Sequence, residues 1–136
     1  MKFKIVAVGK IKEKFFSDAI AEYVKRISRF AAVEIVEVAE NTFCGVPNGK
    51  EIEKITRAEG EAILQKTEGC VVAMDIDGKQ LDSMQIAEFI SRKKQTDSIF
   101  TFVVGGSYGL SQDVKNKADL RLSFGRITLP HQLFRE

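Results

Sequence analysis

A chain of 136 residues, 44% apolar and 29% charged, has room for one domain with a single core and the proportions of a soluble globular protein. No apolar run approaches the length that crosses a bilayer, and Met1-Lys2-Phe3-Lys4 lacks the apolar stretch and cleavage site of a signal peptide. One histidine and two isolated cysteines, Cys44 and Cys70, argue against a structural zinc site and for reduced thiols in a cytoplasmic protein, while a net charge of +2 neither demands nor excludes nucleic acid.

Lys2 to Val8 predicts a first strand that ends at Gly9. Glu13 to Arg29 predicts a helix, because Phe16, Ala19, Ile20, Tyr23, Val24 and Ile27 recur at helical spacing. Lys25, Arg26 and Arg29 sit near its end, where cations suit the helix dipole. Val33 to Val38 alternates apolar and acidic residues, as a half-exposed edge strand does. Residues 39–49, with Gly45, Pro47 and Gly49, predict a loop. Lys50 to Lys66 predicts a second helix with Ile52, Ile55, Ala58, Ala62 and Ile63 inward; Gly60 within it costs about 1 kcal/mol relative to alanine.

Cys70 to Ile76 reads as a buried strand, Cys70 in the core, closed by an Asp77-Gly78 turn. Ser83 is expected to cap a third helix carrying Ile86, Ala87, Phe89 and Ile90, followed by Arg92-Lys93-Lys94. Ile99 to Val104 is the strongest strand signal, an apolar run rich in β-branched and aromatic residues that suits burial on both faces. It stops at Gly105-Gly106-Ser107-Tyr108-Gly109, and Ser111 starts a short polar helix. Leu120 to Phe124 predicts the last strand, which leads into the loop Gly125-Arg126-Ile127-Thr128-Leu129. Pro130 suits the first turn of a closing helix containing His131, although Leu133 and Phe134 are left with little to pack against. Strands and helices alternate without repeats. The expected fold class is α/β, a single mostly parallel sheet with helices on both faces, in one domain spanning residues 1–136.

The loops that begin at Gly105 and at Gly125 each leave the carboxyl end of a strand, where open α/β sheets hold their ligands. Glycines there let a ligand approach the backbone, and a branched side chain at Gly105 is expected to fill that space while sparing the fold. The chain has no G-x-x-x-x-G-K-[ST], no G-x-G-x-x-G after the first strand and no G-x-S-x-G. What remains is chemistry in which alignment and a preformed reactive cofactor carry most of the barrier reduction. Methyl transfer from a sulfonium fits that pattern. Lys10, Lys12 and Lys14 fall on the same rim as the two loops, which suits contact with RNA, and Arg126 is a weaker RNA-phosphate candidate; both sets also read as ordinary solvated charges.

Ala7-Val8-Gly9-Lys10, Phe102-Val103-Val104-Gly105-Gly106-Ser107-Tyr108-Gly109-Leu110, Leu122-Ser123-Phe124, Thr128-Leu129-Pro130-His131-Gln132 and Phe134-Arg135 together resemble the ribosomal RNA large subunit methyltransferase H family, of the SPOUT class. The resemblance implies a trefoil knot and an S-adenosylmethionine site formed by Met74, Gly105, Phe124, Gly125, Arg126, Ile127, Thr128 and Leu129. It also implies methylation at N3 of a pseudouridine in large-subunit (23S) ribosomal RNA by a homodimer acting on the assembled ribosome, without metal or membrane. Family members continue past the Phe-Arg pair with an apolar helix, a Y-R-A block and a tail. The chain is therefore expected to be shortened, with its catalytic residues in the segment beyond. The alternative reading is a non-catalytic cofactor- or RNA-binding remnant; a dinucleotide-binding oxidoreductase fragment comes third.

Overall fold

The computed structural model describes residues 1–135, save the side chain of His131, so the structural role expected of that side chain, like Glu136, lies outside the described residues. Strand β1 (Lys2–Val8) and strand β2 (Ala32–Val38) pair in parallel, from Lys2 opposite Ala32 to Val8 opposite Val38. Strand β4 (Ile99–Val104) lies between β1 and β3 (Cys70–Gln80), and β5 (Leu120–Ser123) flanks β3 on its far side. All pairings are parallel, in the order β2-β1-β4-β3-β5. The expected α/β class is the one observed. The apolar runs of β1, β3 and β4 belong to the three inner strands, which are covered on both faces, and the alternating acidic strand is an edge.

Because side chains alternate along a strand, each inner strand feeds two cores. On one face Val6, Val8, Val71 and Val103 meet Ile63 of helix α2 (Gly49–Leu64) and Val114 of helix α4 (Gln112–Lys117). On the other, Phe3, Cys70, Val72, Phe100 and Leu122 gather with Phe89 of helix α3 (Ser83–Lys93), and the Phe3 and Phe100 rings lie 5.9 Å apart. Helix α1 (Lys14–Ile27) covers Ile5 and Ile35 on this second face, enclosing a small apolar cavity with Ile20.

The structure departs from the sequence reading in several places. No residue of α1 is fully buried, and Tyr23 and Ile27 remain exposed. Ala58 is exposed while its neighbour Glu59 turns inward. Asp82, not Ser83, caps α3: its carboxylate accepts from the Gln85 amide at 2.8 Å, and the Gln85 side-chain oxygen in turn accepts from the Asp82 amide. Strand β3 runs on to Gln80 through a bulge, because Met74 and Lys79 both register with Leu122. Phe134, in helix α5 (His131–Arg135), does find a partner, its ring lying 5.6 Å from that of Phe124.

Candidate active site

The carboxyl ends of β3, β4 and β5 surround a cleft of about 510 Å³. Met74 to Asp77 form its floor, Val104 to Leu110 one wall, and Leu122 to Gly125 with Ile127 to Leu129 the other. The bends at Gly105 and Gly125 thus share one cavity. Of the residues singled out in the sequence, Met74, Gly105, Phe124, Gly125, Ile127, Thr128 and Leu129 line it. Arg126 does not. Its side chain is 80% exposed, and its guanidinium lies 3.7 Å from Asp77.

Each wall has a local cause. The Val104–Leu110 wall turns tightly, with the Gly109 amide donating to the Gly106 carbonyl at 3.2 Å and Gly109 at φ +81°. A Cβ on Gly105 would lie 2.9 Å from the carbonyl carbon of Gly109. The glycine is therefore required by the loop's own closure, so a branched side chain here disturbs the loop itself and does not spare the fold as expected. Ser111 ends the wall by capping α4, its hydroxyl accepting from the Val114 amide. The opposite wall pivots at Gly125, at φ +115°, whose amide donates to the buried Ser123 hydroxyl at 3.1 Å.

The electrostatics centre on Asp75. Its carboxylate is 4% exposed and lies 3.5 Å from Arg121 and 3.7 Å from Lys115, a residue that also lines the cleft. A buried carboxylate needs such partners, and here they flank the cleft floor. Behind the glycine wall, Ser107 donates to Glu40 at 3.0 Å, and Glu59 accepts from the Asn41 amide at 2.9 Å. Burial, and next the Glu40 charge, raise the Glu59 carboxyl above its ordinary value against the opposing pull of the Asn41 amide.

Lys10 and Lys12 are exposed on the turn after β1, and Lys14 is exposed at the start of α1. That turn is tied to α5, since the amides of Lys12 and Glu13 donate to the Gln132 side chain at 3.2 and 3.4 Å. Arg135 is buried beneath it, donating to Glu37 at 2.8 Å and to the carbonyls of Val8 and Gly9 at 2.8 and 2.7 Å. Sequence reasoning assigned no role to Glu59, Ser123, Phe134 or Arg135. For Glu59 the one available signal was the Gly60 that follows it, which reads as a helix defect until its close neighbour Ser111 is seen; the other three were marked only by their place in the resemblance blocks.

The sequence of this chain, which folds into a parallel α/β sheet with two glycine-hinged loops over one strand-end cleft, matches across residues 1–136 the family described as "Predicted SPOUT methyltransferase". The chain belongs to that family, and it is a methyltransferase. It is 46% identical over 138 residues to the ribosomal RNA large subunit methyltransferase H of Carboxydothermus hydrogenoformans, covering 99% of this chain and 87% of that one. Its identity to the protein of the same name from Streptococcus pneumoniae is also 46%, over 141 residues and with the same coverage.

Proposed function

We propose that this chain transfers the methyl group of S-adenosylmethionine to N3 of a pseudouridine in large-subunit ribosomal RNA, as a cytoplasmic homodimer with the trefoil knot of its class. The observation that carries the reading is the shared cleft of the Gly105 and Gly125 bends. Its volume of about 510 Å³ falls within the roughly 300–1,000 Å³ typical of small-molecule sites. The residues present suit the cofactor. Phe124 and Phe134 offer an apolar surface for a purine, and the Gly105 bend lines the cleft with backbone, while the Gly125 amide and carbonyl are both bonded to the Ser123 hydroxyl. Gly105, Met74 and the Phe124–Leu129 segment would hold it.

When bound, the cofactor supplies a methyl group already activated on a sulfonium. The chain's own work is alignment: the two walls fix the donor, and the basic turn at Lys10–Lys14 meets RNA phosphate on the same rim. The names of the relatives support a ribosomal RNA target. Among the described residues no helix is long and apolar enough to cross a membrane. The uncovered side of α1 supports a second copy as partner, because Phe15 and Tyr23, 64% and 46% exposed, stand two turns apart on one helix face.

Calorimetry with S-adenosylhomocysteine, using NAD and ATP as controls, tests the cofactor. Heat with the first alone is expected, and its absence would overturn the reading. Transfer of radiolabelled methyl to ribosomes that lack the modification tests the substrate; label appearing in protein or small-subunit RNA instead would refute that half.

A further inference from the structure

Behind the cofactor wall stands an acidic residue to which the proposed reaction gives no part. Glu59, in the body of α2, is 3% exposed. The Asn41 amide occupies one of its oxygens, and the other, Oε1, is buried without a hydrogen-bond partner among the described residues. An orphaned oxygen in such a place is costly and calls for a reason. Oε1 faces the side of Gly106 that a Cβ would occupy: such a Cβ would lie 3.3 Å from it and 3.0 Å from Val8 Cγ1. One residue along the helix, a Cβ on Gly60 would collide with the hydroxyl of Ser111, the cap of α4. A single turn of α2 therefore underlies both ends of the loop that forms the cofactor wall. Ser107, at the loop's tip, leans the same way through its bond to Glu40.

We propose that Glu59 is the positioning residue for this wall: anchored through one oxygen by the Asn41 amide, it props Gly106 with the other and so sets where the peptide groups from Gly105 onward face the cofactor. The proposal rests on the cleft binding S-adenosylmethionine, as argued above. Length and the Asn41 bond are what the position requires. Glutamine supplies both. Aspartate keeps the acid but withdraws it from Gly106, and alanine removes prop and anchor together.

The test is calorimetry with S-adenosylhomocysteine on the wild type and on Glu59→Gln, Glu59→Asp and Glu59→Ala, with a thermal melt of each. Glu59→Gln should bind within about threefold of wild type, while Glu59→Asp and Glu59→Ala should lose about tenfold or more in affinity, the loss expected when a wall of the site is displaced. Should Glu59→Ala fail to fold, Glu59→Asp carries the comparison. Wild-type affinity in a folded Glu59→Asp would overturn the proposal, as would a loss in Glu59→Gln equal to that in Glu59→Asp. A wild type that gives no heat would overturn the cofactor reading and this inference with it, an outcome recognisable because no variant is involved.

Discussion

Gly105 shows how one hydrogen in place of a methyl group decides the shape of the cleft. With 2.9 Å between its would-be Cβ and the Gly109 carbonyl carbon, Gly105→Val must push the loop apart. Overpacking of this kind costs about 1–3 kcal/mol. The expected outcome is a lowered melting temperature together with loss of S-adenosylhomocysteine binding; a variant that bound like wild type would place the cofactor elsewhere. Glu59 makes a second demand at this scale. Its raised carboxyl means that the folded chain keeps a proton the unfolded chain has released, so stability falls as pH climbs from the ordinary carboxylate value of 4.5 through the raised one. Glu59→Gln cannot ionise. Thermal melts between about pH 4 and pH 8 should show that part of the decline flattened in the variant.

The elements themselves depend on their ends. Helix α2 carries Glu59 and Gly60, and it starts with a reciprocal pair: the Asn48 side chain accepts from the Glu51 amide at 3.0 Å, and Glu51 accepts from the Asn48 amide at 2.9 Å. Asn48→Ala should cost about 1 kcal/mol, measured by urea denaturation. Much at this level was legible from the chain alone. Lys2–Val8 and Ile99–Val104 read as strands because they are rich in β-branched and other apolar residues, and both occur within those bounds. Cys70 read as core, and burial with the nearby Asp119 pushes its thiol up to about 11. The bulge in β3 was hidden because Asp77-Gly78 has the composition of an ordinary turn. Glu59 was hidden because a glutamate among charged neighbours on a helix reads as solvent-facing until the opposing glycine loop is known. The cleft was half legible: strand-end glycines marked its walls, but nothing short of the fold could show Phe134 returning to it or Arg126 leaving it.

At the scale of the whole molecule, the strand order puts β1 between β2 and β4, so its carboxyl end, with Gly9 and the basic turn, shares a rim with the cleft. With three exposed lysines there, RNA affinity on the proposed function is expected to depend on salt. For single-stranded RNA, replacing Lys10, Lys12 and Lys14 with alanine should reduce the slope of log K against log salt by roughly 2, at about 0.7 per phosphate contact, in a filter-binding titration. An unchanged slope would put the nucleic acid on another face.

Phe134 and Arg135 are adjacent in the chain yet serve opposite ends of this rim: one ring faces the cleft, while the next side chain clasps Val8 and Gly9 beneath the lysines. On the proposed function, such a hinge-pin is expected to make the two ligands thermodynamic neighbours. Whatever factor RNA adds to the grip on S-adenosylhomocysteine must reappear, unaltered, in the grip of the loaded protein on RNA. Titrating each ligand in the presence of the other measures that reciprocity, and replacing Arg135 with lysine, which breaks the fork without discarding its charge, should shrink both factors together.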